Sequence, residues 1–277
     1  MSLGTLITVA PTGAETRKQD APALPVTLDE LLHTAKECAA LGAAMIHVHV
    51  RDDAGEPTLD PGRLRETVAA LRAETDLIVQ LSTGGAVGDP EEARRAVLDA
   101  GPDAASLTMG SVNFGDGVFL NRWPFVVDLH RRMRDRGIVP EYEIFDLGQL
   151  HALRRLLAED GLPAGGHVHL DLVMGVPGGM DGTTETVAAC LAAMRDLPDD
   201  LTFSATGIGR TTIPVMLAAL SAGGHLRVGM EDTLTYAKHR PVESNMQLVA
   251  RAVGLAQLAQ RPPLTPAQAR ELLGLTA

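Results

Sequence analysis

The feature that most constrains this chain is an alternation. Short apolar runs of four to seven residues are each followed by a helical pattern, eight times over 277 residues. The runs are Leu6–Ala10, Met45–Val50, Leu77–Leu81, Ala104–Thr108, Val139–Ile144, Val168–Val173, Leu201–Ala205 and Leu226–Met230. Several helices carry explicit start signals. Thr27-Leu28-Asp29-Glu30 fits a capping box. Asp60-Pro61 and Asp89-Pro90 set an N-cap before a proline at the first helical position. Further helices are expected over Arg122–Arg136, Gly148–Glu159, Thr184–Met194, Thr211–Ala222 and Asn245–Ala259. A last segment, Thr265 to Leu273, reads as an appended helix.

Eight strand–helix units over this length predict an α/β fold, a (β/α)8 TIM barrel with an extra C-terminal helix, spanning 1–277 as one domain. No linker or low-complexity segment divides it. A doubly wound sheet would need a phosphate turn after the first strand, and Ala10-Pro11-Thr12-Gly13-Ala14 is not GxGxxG. Hydrophobic residues make up 45% of the chain, enough for a large core. The net charge of −11 and an aromatic content of 3% argue against nucleic acid or an anionic membrane as partner. Cys38 and Cys190 each sit in a helical pattern, which excludes a disulfide framework or a CxxC site. No apolar run is long enough to span a bilayer, and no secretory leader is visible. A soluble cytoplasmic protein is expected.

In such a barrel, chemistry sits where strands end. Alternate strand residues face opposite sides. In the second strand Ile46, Val48 and Val50 share one face, His47 and His49 the other. In the eighth, Leu226, Val228 and Met230 oppose Arg227, Gly229 and Glu231. With the apolar sets toward the helices, His47, His49 and Glu231 converge at the barrel mouth as a divalent metal site with open positions. The opposing reading makes the histidines structural. A second pair, His167 and His169, starts its strand and belongs to the stabilising bottom. Ser82, Ser106 and Thr108 stand at strand ends, where turn formation is their ordinary role. Gly84-Gly85 and Gly207-Ile208-Gly209-Arg210 are anion-binding candidates, the latter after the seventh strand, where barrels often hold phosphate.

The residues then match a known family. His47-Val48-His49-Val50-Arg51-Asp52, Leu81-Ser82-Thr83-Gly84-Gly85, Ala105-Ser106-Leu107-Thr108, Pro140-Glu141-Tyr142-Glu143-Ile144-Phe145-Asp146, Gly207-Ile208-Gly209-Arg210 and Arg227-Val228-Gly229-Met230-Glu231-Asp232 run in order along nearly the whole chain. As a set the chain resembles the beta-keto acid cleavage enzymes. The resemblance implies a Zn2+-dependent barrel that forms homo-oligomers, tetramers or larger, and converts a β-keto acid and acetyl-CoA into acetoacetate and a new acyl-CoA. It implies zinc on His47, His49 and Glu231. Asp232, Arg227, Glu143, Ser82 and Thr108 become catalytic residues. Glu15, Ser82, Gly85, Ser106 and Thr108 become substrate-binding residues, with Ser106 and Thr108 competing for one role. Gly207, Gly209 and Arg210 become the cofactor-binding residues for acetyl-CoA. Thr233 departs from the family, which more often has asparagine there.

The implied mechanism suits these residue types. Zinc would stabilise an enolate as a Lewis acid. Asp232 beside it is the candidate base, and Arg227 would keep it ionised. Ser82 and Thr108 would donate to oxygens that gain charge. An amidohydrolase is a poor fit, because strand five offers Glu143 and strand six ends in Gly175, not histidines. An aldolase that ignores CoA and a non-catalytic metal-stabilised barrel are the other readings. Glu15 and Glu143 at the mouth favour an amino- or ammonium-bearing keto acid. The alternative is that Glu143 bonds the catalytic groups and Glu15 pairs with an arginine, leaving a neutral pocket.

Overall fold

A computed structural model describes residues 4–275. Eight parallel strands close on themselves as a barrel. In chain order they are Ile7–Val9, Met45–Val48, Ile78–Leu81, Ala104–Thr108, Val139–Ile144, Val168–Met174, Leu201–Gly207 and His225–Val228. The first pairs with both the second and the eighth, in the register Thr8 to Arg227 and Thr8 to Met45. The (β/α)8 expectation therefore holds.

The long helices α1 (Leu28–Leu41), α2 (Pro61–Glu74), α4 (Trp123–Arg136), α5 (Leu147–Asp160), α6 (Thr184–Met194), α7 (Thr212–Ser221) and α8 (Asn245–Leu258) pack outside the strands. The capping box forms as expected: the Thr27 side chain accepts from Glu30 N–H, and Glu30 reaches back to Thr27. Asp60 caps α2 ahead of Pro61. The Asp89-Pro90 expectation fails. Pro90 itself occupies the cap of α3 (Glu91–Ala96), while Asp89 accepts from Ala86 N–H and tightens the preceding loop. That helix lasts six residues before it narrows to a 3-10 turn at Val97–Ala100.

Two short hairpins were not anticipated. Val112–Phe114 pairs antiparallel with Gly117–Phe119, and Thr235–Ala237 with Arg240–Pro241. The first leaves the fourth strand and lies over the mouth.

The barrel interior is layered by chemistry. At the bottom, Leu6, Met45, Ile78, Ala104 and Val139 pack with Leu264, Ala269 and Leu273 around α9 (Pro266–Leu272). The expected appended helix is thus a plug. Above it, Thr8, Gln80, Ser106, Glu141, His169 and Ser204 are buried. Polar side chains there replace the bulky branched layers usual in such barrels. The sequence alternation already dictates this, because the apolar half of each strand faces the helices.

Candidate active site

His47 lies inside the second strand, and His49 just beyond its end. Glu231 arrives differently from the parity expectation. The eighth strand stops at Val228, two residues short of the expected Met230. At Gly229 an added Cβ would stand 1.8 Å from the Ala10 carbonyl oxygen, so only glycine lets the chain press there and turn. Glu231 N–H then donates to that same carbonyl at 3.2 Å, and Asp232 N–H to Gly229 O at 3.1 Å. The turn, not strand pleating, carries Glu231 to the histidines and sets Asp232 beside it.

One ligand atom each from His47, His49 and Glu231 lie within 4.8 Å of one another. The two Nε2 atoms are 3.3 Å apart, and Glu231 Oε1 is 3.7 and 3.6 Å from them. His47 Nδ1 lies 2.5 Å from Gln80 Oε1. As the donor, Nδ1 carries the proton and leaves the Nε2 lone pair toward its neighbours. Burial, then the charge of Arg227, pushes His47 down to about 4, so the imidazole stays neutral and able to ligate. Glu231 Oε2 is buried with no hydrogen-bond partner. The neutral His47 imidazole, the His49 ring nitrogen beside it and a carboxylate with an orphaned oxygen fit a divalent cation such as zinc.

Arg227 is the hub of the anionic side. It contacts Glu231 and donates to Asp232 Oδ1 at 3.1 Å and Glu143 Oε1 at 3.4 Å. Asp171 Oδ2 stands 3.9 Å away. Burial opposes the guanidinium charge, but Asp232, Glu231, Asp171 and Glu143 together hold its pKa well above the arginine value. Arg227 does not keep Asp232 strongly ionised. Burial outweighs it and pushes Asp232 up to about 7. Glu143 is also raised by burial, against Arg227 and the Thr108 hydroxyl.

The other sequence candidates separate. Ser82 and Gly85 line the same cavity as the histidines, Glu143, Arg227, Glu231 and Asp232. Ser82 Oγ accepts from Gly84 N–H at 3.1 Å, which leaves its own proton for a ligand. Thr108 donates to Glu143 Oε2 at 2.7 Å. Ser106 Oγ accepts from Thr83 N–H at 3.3 Å and does not line that cavity. Glu15 is an exposed side chain at the rim, and its charge acts on Arg51. Arg51 in turn donates to the carbonyls of Gly13 and Thr16 and pins that loop.

The phosphate cradle expected at Gly207, Gly209 and Arg210 does not form from glycine amides. Gly209 N–H donates to Asp232 O at 2.7 Å, and Ile208 N–H to Met174 O at 2.9 Å. A Cβ on Gly207 would meet Thr211 O at 2.5 Å, so that glycine serves close packing. Arg210 is exposed next to this turn.

Sequence reasoning missed Gln80, Asp171 and Arg94. Asp171 is fully buried, accepts from Thr206 Oγ1 at 2.7 Å, and is raised well above the carboxylate range by burial and then Glu141. It shares the inward parity of His169, which was signal enough. Arg94 donates to Thr83 O and Leu120 O at 2.7 Å and to Asn121 Oδ1 at 2.6 Å. No local pattern announces it.

Comparison with known proteins agrees with this architecture. The family described as beta-keto acid cleavage enzyme matches residues 5–275. The chain is 37% identical over 277 residues to the 3-keto-5-aminohexanoate cleavage enzyme of Acetoanaerobium sticklandii, covering 98% of each chain. It is 36% identical over 271 residues to the 3-oxoadipate:acetyl-CoA acetyltransferase of Cupriavidus necator, covering 98% of this chain and 94% of that one. A solved ternary complex of ObcA with a C4-CoA adduct and oxalate shares the fold. Its TM-score is 0.80 at 21% identity, over 92% of this chain and 68% of that one.

Proposed function

Because this chain belongs to the beta-keto acid cleavage enzyme family, we propose that it cleaves a β-keto acid at the expense of acetyl-CoA, releasing acetoacetate and a new acyl-CoA. Zn2+ would be held by His47, His49 and Glu231. When bound it would supply Lewis-acid stabilisation of negative charge on the keto acid oxygens.

This chain's residues do the rest. Asp232 takes the proton from the carbon between ketone and carboxylate. A pKa near 7 suits a base that must both accept and return a proton at neutral pH. The carbanion attacks the acetyl carbonyl, and the CoA thiolate leaves. That thiolate adds to the former ketone carbon. The carbon–carbon bond then breaks, with its electrons going to acetoacetate, which recovers the proton from Asp232. Arg227 fixes Asp232 and Glu231 relative to each other throughout. Ser82 offers a hydroxyl proton to an oxygen that gains charge. Thr108 acts through Glu143 in this reading, and Glu143 steadies the far side of Arg227.

The observation that carries the reading is that one guanidinium joins a metal-ligand carboxylate to the candidate base. An amino-bearing substrate, as the Glu15 and Glu143 expectation would have it, requires one of these carboxylates to be free for the tail. Incubation of zinc-loaded protein with a panel of β-keto acids and acetyl-CoA, read by mass spectrometry, tests the reaction. The expected products are acetoacetate and one new acyl-CoA. Cleavage that proceeds equally without acetyl-CoA would indicate an aldolase, and binding without turnover a non-catalytic barrel.

We also propose a cytoplasmic homo-oligomer, a tetramer or larger, acting as one barrel domain. Among the described residues no helix is long and apolar enough to cross a membrane. The half-exposed Leu217 on α7 and the exposed Leu258 ending α8 support burial against another copy. A monomeric mass at micromolar concentration would overturn the assembly.

A further inference from the structure

We infer that the cavity takes an uncharged, apolar tail on its β-keto acid, an alkyl or aryl chain of a few carbons. The inference rests on the function proposed above and names its substrate class. The metal ligands, Arg227 and Asp232 form one side of the cavity. The other side is Val87, Phe114, Phe119, Phe145, Val176 and Ile208, from the loops after strands three to seven. These residues belong to one apolar cluster. Phe114 meets Phe119 and Phe145 edge-on, with ring centroids 6.4 and 6.2 Å apart.

This wall is built, not incidental. The Val112–Phe119 hairpin that brings in Phe114 and Phe119 is docked on the loop after strand six: Gly115 N–H donates to Pro177 O at 3.0 Å. A Cβ on Gly178 would stand 2.2 Å from Asn113 O, so the two loops touch backbone to backbone. From behind, the Arg94 guanidinium lies 4.6 Å from the Phe119 ring centroid. Its three nitrogens are taken by Thr83, Leu120 and Asn121. Arg94 is thus buried behind the ring and does not line the cavity where a carboxylate tail would lie.

Glu143 is held through both oxygens, by Arg227 and Thr108, while Glu231 and Asp232 each bind Arg227 through one oxygen beside the histidines, away from the apolar wall. Glu15 sits at the exposed rim near Arg51. An ammonium or carboxylate pushed against this wall would lose water and gain no counter-charge. The cavity measures about 240 Å³, below the roughly 300–1,000 Å³ of sites for drug-sized ligands, which limits the tail to a few carbons.

The test is calorimetric titration of the zinc-loaded full chain with 3-oxobutanoate, 3-oxopentanoate and 3-oxohexanoate, and with two charged analogues, 5-amino-3-oxohexanoate and 3-oxoadipate. Affinity should rise about fourfold per methylene along the neutral series. Both charged analogues should bind at least ~tenfold more weakly than 3-oxohexanoate. Phe114→Ala should flatten the chain-length dependence while zinc content stays the same. Binding of either charged analogue as tight as that of 3-oxohexanoate, or a flat neutral series, overturns the inference. Turnover with acetyl-CoA is measured in parallel on the four acids other than 3-oxobutanoate, which would only regenerate itself and acetyl-CoA. Its absence for all four would overturn the proposed reaction, whereas the tail preference is read from binding alone.

Discussion

Gln80 Oε1 accepts from His47 Nδ1 at 2.5 Å, and the two residues are direct neighbours across the second and third strands. The glutamine therefore chooses the tautomer of the histidine. A group that orients a ligand in this way is typically worth about 10–100-fold in metal affinity. Gln80→Leu should weaken zinc binding by that factor in a chelator competition. Unchanged affinity would mean that strand geometry alone holds His47.

Asp232→Asn should keep its zinc and its fold and lose turnover by about a hundredfold or more, the scale of a positioned general base. Arg227→Ala should lower turnover as well, because the proposed base and the proposed ligand carboxylate lose their common partner. Metal content and single-turnover rates measured on the same samples separate the two effects. Near-normal turnover by Asp232→Asn would transfer the role of base to Glu143.

The two His-x-His pairs should respond oppositely. His49→Ala removes a proposed ligand at the mouth, so zinc should be lost with little change in the stability of the apo protein. His169 Nε2 lies 3.2 Å from Glu141 Oε2 deep in the barrel. Burial opposes ionisation of Glu141, yet the His169 imidazole beside it, ahead of the charge of Arg227, holds it below the usual carboxylate range. His169→Ala strands that carboxylate and should cost about 3 kcal/mol or more, with zinc retained. Denaturant titration and metal analysis of both variants decide it. Loss of zinc from His169→Ala would mean the lower pair binds metal.

His225 makes a prediction about pH. Its Nδ1 accepts from Leu6 N–H at 3.0 Å, which requires a neutral ring. Burial, then the charge of His169, pushes its pKa down to about 3, against about 6.5 in an unfolded chain. The folded state thus binds fewer protons between these values. The contribution to stability is complete above about 6.5 and is lost as the pH falls toward 3. His225→Leu should be less stable than the parent at pH 7.5 by about 1–3 kcal/mol, because Leu6 N–H is orphaned. The gap should narrow at pH 5. A pH-independent gap would remove His225 from the acid response.

How far the sequence carried the argument depends on what each signal rested on. His47 was legible because Ile46 and Val48 must face the helices, which leaves the imidazole inside. Glu231 was found by the same parity, but the strand ends at Val228 and the turn at Gly229 delivers it. The residue was right and the geometric reason was not. Asp171 obeyed the pattern and could have been read, since Leu170 and Leu172 flank it. Gln80 was hidden because its partner lies on another strand. Arg94 was hidden because its partners are backbone oxygens and the Asn121 amide just past a hairpin, although Phe114-Gly115-Asp116-Gly117 carries the turn residues for that hairpin. The glycines at 207 and 209 misled because glycine marks close packing, as at Gly207, or a left-handed turn, as at Gly209, as readily as anion binding.

The plug formed by α9 makes the barrel a vessel with one opening. Leu264, Ala269 and Leu273 seal the end opposite His47, His49 and Glu231, so nothing passes through. In the proposed reaction both reactants share a single doorway. The small keto acid belongs at the bottom of the cavity, against Arg227 and the histidines, and the bulky thioester can only lie above it. Sequence of entry then follows from shape: the acid first, acetyl-CoA second. The new acyl-CoA must depart before acetoacetate is free to leave. Steady-state inhibition patterns would carry that signature, with acetoacetate competing against the keto acid and not against acetyl-CoA.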